Sequence, residues 1–354
     1  MRILQLIDSL EIGGGERMAV NIANYFSKSG VPNRLVVSRN KGPLVDLIQD
    51  QENVDQLYKR SFLDLKAFFN LIQIIRNFQP THIHAHDSSI FWAAIAGIFF
   101  PQMKVIWHAH YGGLAGKDSR FGKFLPLVKN KIDGLIAVNP ELISWSNSSL
   151  PNLKARKFIE NFPSIPSFSR SKPKEPKIIC LANLKPPKNH KLLIRSFAKF
   201  GKRFPEYQLE LIGSLQNLSY LEDLKKEISL LQIDHKINFH GEQVNISPFL
   251  ESAEFAVLAS DVEGLPVSIL ELGLAEIPIV CSNVGYCGEL LEYGDLGYLF
   301  PPGEEEKLVQ CMEVLVLNKE EAKTKASYFR KKVQSQYGDE QFGKKYRTFI
   351  QELN

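Results

Sequence analysis

An α/β chain of two Rossmann-like domains, facing each other across a cleft, is what this sequence predicts. Three observations carry that reading. Short β-rich runs alternate with segments of helical spacing. A proline- and serine-rich stretch interrupts the alternation at residues 161–177. The same alternation then restarts. Strand–helix–strand units build parallel sheets, because parallel strands need a long crossover. A length of 354 residues fits two domains at roughly 100–200 residues each.

Residues 2–8 form the first predicted strand. The loop 9–15 follows and ends in Gly13, Gly14 and Gly15. Residues 16–29 place Met18, Ile22 and Phe26 four apart, with Ala19 and Ala23 beside them, which predicts a helix; Gly30 suits its end. Residues 34–38 read as the next strand. An amphipathic helix over 62–78 stops before Pro80, and strands follow at 82–85, 105–107 and 134–138. The second half predicts strands at 177–182, 208–212, 236–239, 255–259 and 277–282. Its helices fall at 192–200, 218–231 and 266–275, and helix fills most of 304–354. The predicted organisation is a domain at 1–165, a linker at 166–176, a domain at 177–335 and a closing helix at 336–354. Two such domains place a ligand at the C-terminal ends of their strands.

Composition narrows the function classes. Lys and Arg number 43 against 39 acids, a formal net charge of +4, too small to make nucleic acid the main partner. Hydrophobic residues make up 44% of the chain, which excludes wholesale disorder. Cys180, Cys281, Cys287 and Cys311 form no CxxC pair, so reduced thiols are expected rather than a disulfide framework or a zinc site. Asp8 breaks the first apolar run, and the longest, 90–100, falls short of the ~20 residues of a spanning helix. The expected location is cytoplasmic, at most peripheral on a membrane surface.

Three strand–loop–helix junctions could carry chemistry. The first is Ile12-Gly13-Gly14-Gly15-Glu16. Glycine lets backbone approach a ligand, and a helix start offers N–H groups and a positive dipole end. A tight turn would need the same glycines. A dinucleotide fingerprint would need glycine where Met18 stands. The second junction runs from Leu181 to His190 and carries Lys185 and Lys188, an anion site or a solvated basic turn. The third is Ser260-Asp261-Val262-Glu263-Gly264-Leu265-Pro266-Val267, continuing to Glu271. Pro266 suits a first helical position, which leaves neighbouring N–H groups for phosphate. Glu263 and Glu271 would accept hydrogen bonds from sugar and ribose hydroxyls, although acids are common at helix starts anyway.

The chain resembles the retaining glycosyltransferases of family GT4, which have the two-domain GT-B fold. Glu263 to Glu271, with Gly264-Leu265-Pro266 between them, matches the family's E-x7-E motif. Gly13-Gly14-Gly15-Glu16 matches its N-terminal glycine loop. Asn183 to His190 resembles its phosphate-binding strand–loop, and Trp107-His108-Ala109-His110 the segment bearing its active-site histidine. The resemblance implies sugar transfer from a nucleotide diphosphate sugar to a glycan or lipid-linked saccharide, with retention, in bacterial surface polysaccharide synthesis. It implies Lys188 on the diphosphate, Glu263 on the donor sugar, Glu271 on the ribose and His110 near the reacting centre. Gly13, Gly14, Gly15, Asn183, Lys185, Gly264, Leu265, Pro266 and Val267 would complete the donor site. Asn183 stands where the family has arginine, with Lys185 a substitute for that charge. No Asp-x-Asp motif occurs, so no metal cofactor is expected. The closing helix would cross back to the first domain.

Rival readings remain. His82, His84 and His86 alternate along one strand face, with His108 and His110 nearby, as a metal-dependent hydrolase would need. A nicotinamide oxidoreductase lacks its acid after the second strand, where Ser38 and Arg39 stand. Asn183 in place of arginine fits a non-catalytic partner subunit. Lys117, Arg120, Lys123, Lys129 and Lys131 interleave with apolar residues, as on an anionic membrane surface or on an ordinary amphipathic helix.

Overall fold

The computed structural model describes residues 1–110, 125–165 and 176–353. The chain divides into two compact units, Met1–Phe162 with Asp339–Asn354, and Pro163–Gly338.

The first unit contains strands β1 (Ile3–Ile7), β2 (Asn33–Val37), β3 (Val54–Gln56), β4 (His82–His86), β5 (Lys104–Ala109), β6 (Gly134–Ala137) and β7 (Ala155–Phe158). They form one seven-stranded sheet in the order β3-β2-β1-β4-β5-β6-β7, and every pair is parallel. Helices α1 (Gly14–Lys28), α2 (Leu65–Phe78), α3 (Ile90–Phe99) and α4 (Pro140–Ser149) connect β1 to β2, β3 to β4, β4 to β5 and β6 to β7. Helix α2 starts later than its periodicity suggests. Asp64 caps it, taking the Ala67 N–H at 3.0 Å and the Arg60 N–H at 2.9 Å, which turns the chain before Leu65. The edge strands β3 and β7 carry too few apolar residues to stand out in the sequence.

The second unit contains β8 (Lys177–Leu181), α5 (His190–Gly201), β9 (Gln208–Ile212), α6 (Leu218–Leu230), β10 (Ile237–Gly241), α7 (Ser247–Ser252), β11 (Ala253–Leu258), α8 (Val267–Leu274), β12 (Ile279–Ser282), α9 (Cys287–Leu290), β13 (Tyr298–Phe300), α10 (Glu305–Leu317) and α11 (Lys319–Gln336). Its six-stranded sheet runs β10-β9-β8-β11-β12-β13. In both sheets the strand order therefore turns back after the third strand, which puts a switch point between β1 and β4 in one and between β8 and β11 in the other. That switch point is where doubly wound sheets bind ligands.

The last helix, α12 (Asp339–Leu353), belongs to the first unit. Phe342, Tyr346, Phe349, Ile350 and Leu353 recur at helical spacing and are buried with Ile3, Met18, Ile22 and Phe26 of β1 and α1. The approach is close: a Cβ on Gly343 would lie 1.6 Å from Tyr25 Oη.

Candidate functional site

The candidate residues fall in two groups, one in each unit. In the second unit, the loops after β8 and β11 meet at the switch point. Lys188 Nζ donates to Glu263 Oε1 at 2.6 Å, and Ser260 Oγ donates to the same oxygen at 2.6 Å. The side chain of Glu263 is 7% exposed and that of Lys188 24%, so water screens the pair only in part. Ser260 is itself held, because Ser282 Oγ donates to its carbonyl at 2.6 Å. The Asp261 N–H bonds Pro187 O at 2.8 Å and Asn189 Nδ2 bonds Asp261 Oδ1 at 2.8 Å, tying the two loops together. The next loop supports Glu263 from behind. Gly285 has φ +53°, and a Cβ there would lie 2.0 Å from Glu263 O. Tyr286 N donates to Gly264 O at 3.1 Å.

Several expected contacts change in detail. Pro266 is the N-cap of α8, with φ −74° and ψ 111°, and not its first helical residue; Val267 opens the helix. Leu265 is buried in the core, so its backbone alone is free to face a ligand. Asn183 Oδ1 accepts from the Ser214 N–H at 2.9 Å and thereby joins two loops. Lys185 is exposed, whereas Lys188 is half-buried. Glu271 is 8% exposed on α8. Cys180 sits beside this group, and burial pushes its thiol up to about 12, so it remains an un-ionised core residue.

In the first unit, Gly13 is the N-cap of α1 and Gly14 its first residue, two positions earlier than periodicity predicts. A Cβ on Gly13 would lie 2.3 Å from Glu16 Oε2, so the Glu16 carboxylate folds back over the helix start. Burial raises its pKa, its own backbone N–H opposes that rise, and Asp87 and Glu11 add to it. One of the N–H groups expected for a ligand, that of Glu16, is thus shared with an internal acid. Gly15 has the tighter steric role: its Cβ would come within 3.3 Å of Asp87 Oδ2 and 3.4 Å of the His110 ring.

His110 ends β5. Its backbone N–H donates to Asp87 Oδ1 at 2.8 Å. Its Nε2 pairs with His86 Nδ1 at 2.9 Å, and His86 Nε2 pairs with Gln5 Oε1 at 3.0 Å. A second chain runs from Tyr346 Oη to His84 Nδ1 at 3.2 Å and from His84 Nε2 to His108 Nδ1 at 3.0 Å. Burial lowers His84 and His110 to about 3, and holds His86 and His108 well below the usual range, so all four rings are neutral near pH 7. Ring nitrogens of His84, His86 and His108 lie within 4.8 Å of one another, close enough to suggest a metal. Both nitrogens of His86 and both of His84 are already in hydrogen bonds, however, so the cluster reads as a buried polar network. Gln5, Asp87 and Tyr346 were not singled out by the sequence, and Ser260 was placed in the third junction without a role of its own. The histidine alternation points to the strand face on which Gln5 also lies, but Tyr346 is reached only through the placement of α12.

Of the basic segment, Lys117, Arg120 and Lys123 lie outside the described residues, as does most of the predicted linker. Lys129 and Lys131 form a short turn beside exposed Leu127. Among the described residues no helix is long and apolar enough to cross a membrane.

Comparison with known proteins places these features in context. Residues 161–332 match the family described as glycosyl transferases group 1, and residues 12–146 match Glycosyltransferase Family 4. The chain is 35% identical over 303 residues to the O-antigen biosynthesis glycosyltransferase WbnH of Escherichia coli, covering 81% of this chain and 82% of that one. It is 24% identical over 332 residues to a Campylobacter jejuni alpha-1,4-N-acetyl-D-galactosaminyltransferase whose name specifies an undecaprenol-linked saccharide, covering 90% of each chain. Among solved structures, Anabaena Alr3699/HepE in complex with UDP and glucose superposes with a TM-score of 0.81 at 18% identity, covering 99% of each chain.

Proposed function

Because this chain belongs to glycosyltransferase family 4, as a hexosyltransferase of the GT-B fold, we propose that it moves a hexose from a UDP-sugar to a lipid-linked saccharide, with retention, during bacterial surface polysaccharide synthesis. The UDP in the Anabaena structure and the undecaprenol-linked saccharide named for the Campylobacter relative support this choice of donor and acceptor.

The observation that carries the reading is the Lys188–Glu263 pair at the β8–β11 switch point. In the transfer the anomeric C–O bond breaks, positive charge grows on the sugar ring and negative charge on the leaving diphosphate. An ammonium fixed beside that diphosphate acts most where charge develops. Lys188 fills this role, with the amides at the start of α8. Glu263 Oε1 is occupied by Lys188 and Ser260, so its contact with donor-sugar hydroxyls falls to Oε2. Glu271 takes the ribose, and His110 the sugar near the reacting carbon. No metal ion enters this scheme.

The test is a transfer and hydrolysis assay of the purified chain across UDP- and GDP-sugars, with and without EDTA. Turnover of a UDP-sugar that survives EDTA supports the reading. Turnover of GDP-sugars alone, loss with EDTA, or no turnover of any donor would each remove its matching part. Lys129, Lys131 and Leu127 suit an anionic membrane surface, and sedimentation with anionic against neutral liposomes at low salt decides that point.

A further inference from the structure

Gln5, His84, His86, His108 and His110 share one face of the first sheet. The register pairs Gln5 with His84 and His86 with His108. Gln5, His84 and His108 are 0% exposed and His86 is 2% exposed. Polar groups buried so deeply are held by specific partners, and here the partners form two chains with different properties.

The chain that begins at Tyr346 has no built-in direction. A hydroxyl can donate or accept, so His84 and His108 can carry their protons either way. The chain that begins at Gln5 is directional. Gln5 presents Oε1 to His86 Nε2, and an amide oxygen only accepts. His86 Nε2 must therefore hold that ring's single proton. Its Nδ1 is left with a lone pair, which takes the proton on His110 Nε2. His110 Nδ1 is then bare. That nitrogen is buried and has no hydrogen-bond partner among the described residues.

We propose that Gln5 acts through His86 as a positioning residue: it sets the tautomer of His110 and makes His110 Nδ1 a hydrogen-bond acceptor for a sugar hydroxyl of the substrate. Asp87 fixes where the His110 backbone sits, and Gln5 fixes what its ring can offer. The amide nitrogen of Gln5 has no partner among the described residues. Turned over, the amide would donate to His86, each ring would pass its proton along, and His110 Nδ1 would carry hydrogen instead. The residue at position 5 thus decides whether His110 accepts from its substrate or donates to it.

This inference rests on the glycosyl-transfer reading only for the identity of the hydroxyl. Its test does not need turnover. In protein labelled with 15N in the histidine rings, the nitrogen shifts separate a protonated from a bare nitrogen, and the His110 signals are assigned by their loss in His110→Ala. The wild-type protein should show His110 bare at Nδ1 and protonated at Nε2. Gln5→Met keeps the volume and removes the acceptor. It should mix or invert the tautomer and lower kcat on the order of tenfold, with donor KM within about twofold. A wild-type His110 protonated at Nδ1 overturns the proposal without any variant, so a poorly folding Gln5→Met cannot shelter it. A folded Gln5→Met that keeps the wild-type tautomer overturns it equally. Absence of transfer by the wild type, with the tautomer as stated, would instead count against the proposed function.

Discussion

Lys188 and Glu263 close a 2.6 Å ion pair across neighbouring strands β8 and β11, although 75 positions separate them in the chain. The carboxylate is almost fully covered, so the ammonium neutralises a buried acid, and under the proposed function it has a second task, to meet the substrate's charge.

Those two tasks give Lys188→Ala two measurable effects. Loss of a charge that acts in the transition state should lower kcat by about 10²–10³. Loss of a hydrogen bond to a buried carboxylate should cost about 1.5–3 kcal/mol of stability in the second unit, read by urea unfolding. Steady-state kinetics within twofold of wild type would remove Lys188 from the reaction.

Glu271 should behave differently. A ribose is held equally before and during transfer, so Glu271→Ala should raise the donor KM by about tenfold and change kcat by less than about threefold. A fall in kcat at unchanged KM would assign the residue to the reacting centre instead.

Gly285 tests the support behind Glu263. An alanine Cβ would lie 2.0 Å from Glu263 O at a backbone φ of +53°. Gly285→Ala should destabilise the second unit on the order of 1–3 kcal/mol and weaken UDP binding measured by calorimetry. Unchanged UDP affinity would show that Glu263 keeps its place without this contact.

Acid should unfold the first unit before the second. Burial lowers His84 and His110 to about 3 and His82 to about 4 in the first unit, and His190 to about 4 in the second. An unfolded histidine takes its proton near pH 6.5, so the stability each buried ring contributes is full above that value. It is lost as pH falls from there toward the folded value. Each should remove about 1–2 kcal/mol between pH 7 and pH 5. Urea unfolding followed by Trp fluorescence tests this, since Trp92, Trp107 and Trp145 all lie in the first unit. A Trp midpoint independent of pH over that range would contradict it.

How much could be read beforehand differs from element to element. The periodicity of Met18, Ile22 and Phe26 marks α1, because a helical stripe is a local property of the chain. The edge strands β3, β7 and β13 carry no such signal, since three or four residues give no repeat. At the site, the residue types were readable while their partners were not. Asn183 stands in a motif position yet spends its oxygen on Ser214, and Leu265 lies between motif residues yet turns into the core. Gln5 gives no local sign of a role, because its meaning comes from His86 on another strand.

The sequence by itself determined the alternation of strands and helices, the break near residue 161 and the chemistry available at each strand end, because these depend on neighbours within a turn or two. The tertiary structure decided the strand order, and with it every pairing that matters: Lys188 with Glu263, Gln5 with His86, and Tyr346 with His84 across 262 positions. Such contacts arise only when buried apolar surface has fixed which strands are neighbours, and no local pattern encodes that choice.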